Sequence, residues 1–227
     1  MVTGSAGFIG SHLSEELLRE GEEVIGIDSL TTYYDPQIKR RNLQNLTRHK
    51  NFTALEEDLL ETNLDAWLRR VDCVYHTAAQ PGVRKSWGEE FHTYVRQNIL
   101  ATQRLLECVK NSGREIKVVF SSSSSIYGNT DQLPMTESAL PQPYSPYGVT
   151  KLSSEHLCLA YHANYGISVT ALRYFTVYGP RQRPDMAFHI FCRSILENTP
   201  ITILGDGAQT RDFTFVSDIV TANRAAA

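Results

Sequence analysis

The sequence predicts an α/β fold built on a mostly parallel sheet with helices on both faces. Short apolar, β-branched runs typical of buried strands alternate along the chain with amphipathic helical patterns. Parallel strands need crossover connections, and helices supply them, so this alternation favours a parallel sheet. A glycine-rich turn between the first predicted strand and the first predicted helix is the second observation, and it indicates a doubly wound sheet.

The predicted elements follow one another in the first 173 residues. The predicted strands are Val2–Thr3, Val24–Asp28, Val71–His76, Lys117–Ser122 and Ser168–Arg173, and the predicted helices are Ser11–Glu20, Phe91–Ser112 and Pro146–Tyr165. Beyond Arg173 the pattern loosens, and a further helix begins near Ser217. We therefore expect one domain over residues 1–173 and part of a smaller, apparently truncated C-terminal substrate domain over residues 174–227.

Composition excludes several classes of protein. The 227 residues are 41% hydrophobic and 21% charged with a net charge of −3, which is typical of a globular protein rather than a disordered or fibrous one. No apolar run approaches the roughly 20 residues that cross a bilayer, and no export leader is recognisable, so we expect a cytoplasmic protein. The mild negative charge argues against nucleic-acid binding. The spacing of histidines and cysteines predicts no metal site and no disulfide.

The glycine-rich turn spans residues 3–10, with Gly4, Gly7 and Gly10 in the spacing GxxGxxG. In this position the first glycine permits a tight turn, the second lets the backbone approach a pyrophosphate, and the third lets the helix pack against the strand. The N-terminus of the helix offers unpaired N–H groups to phosphates. The spacing and its context predict a Rossmann-type dinucleotide-binding domain, whereas a glycine-rich surface turn is the alternative.

Asp28 ends the second predicted strand at the distance expected for the acid that binds the adenosine ribose. A carboxylate there accepts hydrogen bonds from the ribose hydroxyls and repels a 2′-phosphate. The sequence therefore predicts NAD rather than NADP as the cofactor.

A serine, a tyrosine and a lysine supply candidate catalytic groups. The serine run 121–125 follows the strand at Lys117, at the carboxyl edge where open α/β sheets bind ligands. Tyr147 and Lys151 are four residues apart, so both project from one face of the helix. A lysine ammonium and a nearby nicotinamide favour the phenolate of Tyr147, which then removes a hydroxyl proton while the carbon gives hydride to the cofactor. A serine hydroxyl from the strand holds the same oxygen.

The sequence resembles the extended short-chain dehydrogenase/reductase family of nucleotide-sugar epimerases and dehydratases. The resemblance covers nearly the whole chain and is carried, in order, by TGSAGFIGSHL, YHTAAQPGVRKS, NILATQRLLE, VVFSSSSSIYG, YSPYGVTKLSSEHL, LRYFTVYGPRQRPDM and GDGAQTRDFTFVSD. Three further stretches, DSLTTYYDPQIKRRNL, PGVRKS and YGPRQRPDMAF, are most similar to UDP-glucuronate 4-epimerases. Relatives of this kind often pair as homodimers through the helices at residues 91–109.

The resemblance implies a role for each matching residue. The implied cofactor-binding residues are Gly4, Gly7, Phe8, Ile9, Gly10, Asp28, Asp58, Leu59, Ala78, Asn98, Tyr147, Lys151 and Tyr174. The implied catalytic residues are Tyr147, Lys151 and Ser123. The implied substrate-binding residues are Arg84, Ser123, Ser124, Ser125, Tyr147, Thr176, Arg183 and Arg211. The resemblance thus implies a UDP-sugar substrate, bound NAD and no metal.

The serine cluster separates this sequence from two kinds of relative. Similar dehydratases carry Thr-Asp-Glu, and similar decarboxylases Thr-Ser-Glu, where this chain has Ser123-Ser124-Ser125. The resemblance therefore implies C4 epimerisation of UDP-glucuronate to UDP-galacturonate through a 4-keto sugar, and we expect the short hydroxyls with Arg84 to hold the carboxylate away from decarboxylation. UDP-glucose 4-epimerisation and UDP-glucuronate decarboxylation remain alternatives within the family. A non-catalytic NAD-binding regulatory protein is the alternative from another class.

Overall fold

Six parallel strands form the central sheet of the computed structural model, which describes residues 1–130, 133–203 and 205–227. The strands are β1 (Val2–Thr3), β2 (Val24–Ile27), β3 (Phe52–Leu55), β4 (Cys73–His76), β5 (Lys117–Ser123) and β6 (Val169–Tyr174). They lie in the order β3-β2-β1-β4-β5-β6. This is the strand order of a Rossmann-type sheet, so the predicted fold class is confirmed.

Eight α-helices connect and flank the strands in the described part of the chain. They are α1 (Phe8–Arg19), α2 (Pro36–Leu43), α3 (Leu64–Leu68), α4 (Phe91–Tyr94), α5 (Ala101–Asn111), α6 (Pro146–Tyr165), α7 (Ala187–Leu196) and α8 (Val216–Ala226). A π-helical segment, Val95–Leu100, joins α4 to α5. Short 3₁₀ turns lie at Leu46–Arg48, Arg84–Ser86, Gly88–Glu90 and Ser124–Ile126.

Both faces of the sheet carry a hydrophobic core. One core packs apolar residues of α3 and α5 against β4 and β5, with Leu105 and Val118 fully buried. The other packs α1 against β1 and β2, with Leu13 and Val2 fully buried. Because the central strands are covered on both faces, β2 and residues 118–120 of β5 are apolar in a continuous run rather than in alternation.

Helix α6 begins and ends where its local sequence directs. Ser145 caps the N-terminus by accepting a hydrogen bond from the Gly148 N–H at 3.1 Å, and Pro146 occupies the first helical position. Gly166 ends the helix in the left-handed conformation, with φ at 72°. The cap places Tyr147 in the first turn, where it faces the carboxyl edge of the sheet.

The structure adds elements that the sequence pattern did not predict. Strand β3 and helices α2 and α3 occupy the long interval between Asp28 and Val71, where no element was predicted. The first helix starts at Phe8, three residues before its predicted start at Ser11. The predicted helix Phe91–Ser112 is interrupted by the π-helical segment.

The C-terminal residues form a small second layer. Strands β7 (Thr176–Tyr178) and β8 (Phe213–Phe215) pair in parallel. Helix α8 packs on α1, and Arg224 on α8 contacts Glu16 and Glu20. This packing holds the segment that follows β6 close to the carboxyl edge of the sheet.

A buried ion pair joins β6 to α6 behind that edge. Arg173 donates from Nη2 to Glu155 Oε1 at 2.6 Å, and Ser122 Oγ donates to Glu155 Oε2 at 2.5 Å. Arg173 also donates from Nη1 to Tyr127 Oη at 2.9 Å. The Glu155 side chain is 5% exposed, so its charge depends on these partners.

Replacing Arg173 with leucine is expected to lower the free energy of unfolding by about 3–5 kcal/mol, because it leaves the Glu155 charge buried and unpaired. Urea unfolding of the purified variant at neutral pH measures this. Arg70→Leu, which breaks an exposed pair with Glu23, is the matched control and is expected to cost at most about 1 kcal/mol. Equal losses in the two variants would contradict the assignment of a stabilising role to the buried pair.

Candidate nucleotide and catalytic site

A cleft lies along the carboxyl edge of the sheet near β1. On one side of β1 the sheet continues with β2 and β3, and on the other side it continues with β4, β5 and β6. The wall of the cleft includes the glycine turn, the ends of β2 and β4, and the first turns of α6. Among the predicted site residues it is lined by Gly4, Gly7, Phe8, Ile9, Gly10, Asp28, Leu59, Ala78, Tyr147, Lys151, Tyr174 and Arg183. One cleft therefore brings together most of the predicted cofactor residues, two of the predicted catalytic residues and two of the predicted substrate residues, Tyr147 and Arg183.

Two glycines of the turn, Gly4 and Gly10, have no space for a side chain. Gly4 has a φ of 72°, and a Cβ atom there would lie 2.8 Å from the Ala78 nitrogen. A Cβ at Gly10 would lie 2.2 Å from the Gly4 carbonyl oxygen. Because the helix packs directly on the turn, both positions require glycine.

The N-terminus of α1 faces the cleft without a side-chain cap. Gly7 is the capping residue, and within the part of the chain that the structure describes no side chain accepts a hydrogen bond from the first N–H groups of the helix. These groups and the positive end of the helix dipole are suited to a phosphate. The residues present thus fit the pyrophosphate of a dinucleotide.

Asp28 is held at the end of β2 with its carboxylate on the cleft. Its Oδ2 accepts a hydrogen bond from the Ala6 N–H at 3.1 Å, and its Oδ1 accepts one from the Leu30 N–H at 2.8 Å. Lys39 Nζ lies 3.4 Å from Oδ1. A carboxylate fixed in this way fits a ribose diol and opposes a phosphate on the same ring.

Replacing Asp28 with asparagine is expected to weaken NAD binding about 10–100-fold, because charged acceptors of the ribose hydroxyls are lost. The preference for NAD over NADP should fall as well, since the repulsion of a 2′-phosphate disappears. Calorimetric titration of cofactor-free protein with each nucleotide measures both effects. Asp72→Asn, which removes an exposed carboxylate, is the control, and an unchanged preference in Asp28→Asn would contradict the role given to Asp28.

Tyr147 lines the cleft and is half-buried. Burial raises the pKa of its phenol, whereas the charge of Arg183 and a hydrogen bond with Ser123 act in the opposite direction. Its ring packs edge-on against Tyr94, at 6.3 Å between centroids. Ser123 is therefore near the phenol, although it is not among the residues that line the cleft, and its catalytic role stays a prediction.

Lys151 lies one turn further along α6 and is 3% exposed. Its Nζ sits 4.6 Å from the centroid of the Phe120 ring and makes no hydrogen bond within the described residues. Burial lowers the pKa of Lys151 to about 8, which the charges of Cys158 and Glu155 only partly oppose. The ammonium is thus available to a polar group that enters the cleft.

Asn98 and Asp58 are not among the residues that line the cleft, and their cofactor-binding roles stay predictions. Asn98 is 2% exposed; its Oδ1 accepts a hydrogen bond from the Gln80 N–H at 2.7 Å, and its Nδ2 donates to Thr150 Oγ1 at 2.9 Å. Asp58 accepts a hydrogen bond from Arg96 Nη1 at 2.5 Å. Both side chains hold neighbouring backbone in place.

The predicted substrate residues are more dispersed. Ser124 and Ser125 follow β5 in a 3₁₀ turn, and the Ser125 N–H donates to Ser123 Oγ at 3.1 Å. Thr176 lies in β7, outside the cleft lining. Arg84 and Arg211 are exposed on the surface and do not line the cleft. Their roles stay predictions from the resemblance.

Several residues that line the cleft were not singled out as site residues by the sequence. Tyr33, Tyr34 and Gln80 line it, and their signal is weak because aromatic and amide residues are common in loops. Two of them lie in the stretch DSLTTYYDPQ, whose similarity was noted without a role for its tyrosines.

No group of histidine, cysteine or acidic residues in the described ranges could hold a metal ion. Within those ranges, no helix is long and apolar enough to span a membrane.

The strand order, the glycine turn and the strand-end acid define a Rossmann-type dinucleotide-binding protein. The sequence profile of the NAD-dependent epimerase/dehydratase family matches residues 1–227. The chain belongs to this family, which confirms the resemblance noted from its motifs.

Individual relatives have similar sequences and folds. A protein of Bacillus subtilis described as an uncharacterised UDP-glucose epimerase is 51% identical over 97% of this chain and 69% of its own length. UDP-glucuronate 4-epimerase 1 of Arabidopsis thaliana is 41% identical over 97% of this chain and 52% of its own. The chain thus spans about half to two thirds of the length of these relatives.

A solved structure has the same fold with ligands bound. The crystal structure of UDP-glucuronic acid 4-epimerase from Bacillus cereus, in complex with UDP-glucuronic acid and NAD, is 50% identical and superposes with a TM-score of 0.95. The alignment covers 99% of this chain and 71% of that one.

Proposed function

We propose that this protein, with NAD bound, interconverts the C4 epimers of a UDP-sugar, and that the sugar is UDP-glucuronate. The observation that carries the proposal is the presence of Tyr147, Lys151 and Arg183 on one cleft whose other end fits a dinucleotide. Tyr147 and Lys151 supply acid–base chemistry, and Arg183 supplies a cation for a carboxylate. Relatives with these activities support the choice of substrate.

Within this reaction Tyr147 is the general base. Its phenolate takes the proton of the sugar 4-hydroxyl as C4 is oxidised, and the resulting phenol returns the proton when the 4-keto group is reduced from the other face. When bound, NAD supplies the hydride acceptor for C4 and a positive ring that favours the phenolate. Lys151, one helical turn further along α6, adds a second cation to the cleft, and Ser123 holds the oxygen of Tyr147 in line.

The serine cluster bears on the fate of the keto sugar. A 4-keto uronate is a β-keto acid, and it loses carbon dioxide when its carboxylate stands perpendicular to the carbonyl. Ser124 and Ser125 provide hydroxyl groups just after β5, and neither position carries an acidic side chain next to the sugar. We therefore assign them, together with Thr176, Arg84 and Arg211, to the substrate half formed by residues 174–227 and the edge of the 1–173 domain.

Proton NMR of UDP-glucuronate incubated with the protein, with and without added NAD, tests the proposal. Appearance of UDP-galacturonate is expected, and turnover without added NAD would show that the cofactor stays bound through each cycle. A UDP-pentose as the main product would identify a decarboxylase instead. Absence of any new UDP-sugar would contradict the choice of UDP-glucuronate.

UDP-glucose is the second candidate substrate, because the relative that is 51% identical is described as a UDP-glucose epimerase. The same NMR experiment with UDP-glucose separates the two. A higher kcat/KM for UDP-glucose than for UDP-glucuronate would favour this candidate. A neutral hexose would leave Arg183 without a carboxylate partner.

We also propose that the protein works in the cytoplasm as a homodimer that pairs through α5, α6 and the segment before them. Apolar side chains on the outer face of this region are exposed, among them Trp87, Leu100, Val149 and Leu159. The helices are joined beneath that face by the hydrogen bond from Gln103 Nε2 to Tyr161 Oη at 3.1 Å. Trp87, Phe91 and Val149 line one surface pocket, and exposed apolar groups of this kind are typical of a subunit interface.

Leu159→Glu is expected to convert the dimer to a monomer, because it puts a charge in place of an exposed apolar side chain of α6 in the proposed interface. Size-exclusion chromatography with light scattering measures the mass at several concentrations. Leu196→Glu, which changes an exposed leucine on α7, is the control and should leave the mass unchanged. A wild-type protein that is monomeric at all concentrations would contradict the proposed interface.

A further inference from the structure

Three stretches that mark this sequence within its family converge at one point of the fold. Tyr33 lies in the first stretch, Gly82 and Lys85 lie in PGVRKS, and Arg183 with Asp185 lies in YGPRQRPDMAF. In the structure these residues meet at the mouth of the cleft, although Tyr33 and Asp185 are 152 residues apart. Their contacts with one another give the three stretches a shared physical role.

Asp185 is held from two sides. Arg183 donates from Nε to Asp185 Oδ1 at 2.9 Å and from Nη2 to Oδ2 at 3.0 Å. Tyr33 Oη donates to the same Oδ2 at 3.1 Å. The charge and hydrogen bonds of Arg183 and the hydroxyl of Tyr33 outweigh the effect of burial, so the pKa of Asp185 is lowered and the carboxylate stays ionised.

Tyr33 is itself fixed in position. Lys85 Nζ lies 4.9 Å from the centroid of the Tyr33 ring, and Arg183 Cζ lies 5.9 Å from the same centroid. Its hydroxyl packs against Gly82, where an added Cβ would lie 2.2 Å from the oxygen. A side chain at position 82 would therefore displace the hydroxyl from Asp185.

The contacts leave one edge of the Arg183 guanidinium for a ligand. Asp185 occupies the edge formed by Nε and Nη2, and Nη1 makes no hydrogen bond with any described residue. Arg183 and Tyr147 line the same cleft. A guanidinium that is held on one edge presents its other edge in a fixed direction, which suits a carboxylate. Binding of the carboxylate then costs less conformational entropy than binding to an arginine that is free to move.

We propose that Tyr33 and Asp185 form a clasp that orients Arg183 and so determines the preference for a UDP-uronate over a neutral UDP-hexose. Tyr33 and Asp185 are positioning residues, since both act through Arg183. The inference rests on the proposed function. It adds that the loop after β2, which leads from the ribose acid Asp28, also controls recognition at the sugar end.

The test is the ratio of kcat/KM for UDP-glucuronate to kcat/KM for UDP-glucose. Tyr33→Phe removes only the hydroxyl and is expected to lower this ratio about 5-fold, and Asp185→Asn is expected to lower it about 10-fold or more. Tyr165→Phe is the matched control. Lys110 Nζ lies 4.9 Å from the Tyr165 ring centroid, as Lys85 Nζ does from that of Tyr33, but Tyr165 lies at the end of α6 that is remote from the cleft. Loss of activity on both sugars alike would show a merely structural role and overturn the clasp.

A second background makes the test specific to Arg183. In Arg183→Lys, which loses the planar fork, Tyr33→Phe is expected to have no further effect on the ratio. A further loss in that background would show that Tyr33 acts independently of Arg183 and would overturn the proposal.

Binding measurements separate this inference from the proposed function. If the wild-type protein turns over neither sugar, the proposed function fails, and the Kd ratio of the two UDP-sugars then tests the clasp by calorimetry. Tighter binding of UDP-glucuronate that Tyr33→Phe and Asp185→Asn reduce would support the clasp, and equal binding of the two sugars by the wild type would overturn it.

Discussion

Tyr147→Phe is expected to lower kcat for epimerisation about 10²–10⁴-fold, the range that general base catalysis contributes. The variant keeps the ring that packs on Tyr94, and it removes the only part of the side chain that exchanges a proton. Binding of NAD and of the UDP-sugar should change little, because neither depends chiefly on the phenol. The loss should therefore fall on kcat rather than on KM.

Tyr165→Phe, at the other end of α6, is the matched control, and it should keep wild-type activity. Circular dichroism and thermal unfolding should show that both variants fold. A Tyr147→Phe protein with more than about a tenth of the wild-type kcat would contradict the assignment of the base. It would show that another group removes the proton of the sugar hydroxyl.

The pH profile adds a second check on the same group. Burial raises the pKa of Tyr147, so the phenol is protonated at neutral pH unless cations offset the burial. Arg183 is one such cation, since its charge acts to lower the pKa of Tyr147. The activity of Arg183→Lys, which keeps the charge, should therefore depend on pH much as the wild type does, whereas Arg183→Leu should need a higher pH to reach its maximum.

The parts of the site that could be predicted from sequence are those that depend on local geometry. Gly4 and Gly10 must be glycine because an added Cβ would meet backbone atoms. At Gly10 these atoms belong to Gly4, six residues earlier, and at Gly4 they belong to Ala78, just after β4. Tyr147 and Lys151 share a helix face, so their spacing alone places them together. These predictions needed no knowledge of tertiary packing.

The parts that could not be predicted depend on contacts between distant segments. Asn98 is buried because it hydrogen bonds to Gln80, 18 residues away, and to Thr150, 52 residues away, and no local pattern encodes that pair of contacts. It lies in a π-helical segment, and such segments are rare and often mark functional sites. The apolar periodicity of residues 91–112 predicts a helix there, but it does not reveal the change in hydrogen bonding.

Strand β3 was missed for a different reason. Phe52–Leu55 is four residues long, lies at the edge of the sheet and has only Phe52 buried. An edge strand with partly exposed residues lacks the apolar run that identified the central strands. Its place is set by pairing with β2, for which Val24 and Phe52 are in register.

Lys151→Met is expected to lower kcat at least about 100-fold and at the same time to stabilise the cofactor-free protein. The lysine is buried beside Phe120, and burial lowers its pKa to about 8, which means that the fold disfavours its charged form. An uncharged side chain of similar length has no such cost. At pH 7 the gain in the free energy of unfolding should be of the order of 2–3 kcal/mol.

The sign of the pH dependence follows from the lowered pKa. In the unfolded chain Lys151 keeps its proton up to its ordinary value of 10.5, so between about pH 8 and that value the unfolded state binds more protons than the folded state. The free energy of unfolding of the wild type should therefore rise with pH over this window relative to that of Lys151→Met. The difference between the two proteins should be greatest below pH 8 and should shrink towards the upper end of the window.

Urea unfolding of cofactor-free wild type and variant at pH 7, 8, 9 and 10 measures this difference, and Lys50→Met, which changes an exposed lysine, is the control. A variant that is less stable than the wild type at pH 7 would contradict the cost assigned to the buried ammonium. If the expected gain is found together with the loss of kcat, the protein keeps at Lys151 a charge that its own folding disfavours. Such a charge is explained by a ligand that needs it, since the cleft around Lys151 provides no hydrogen-bond partner among the described residues.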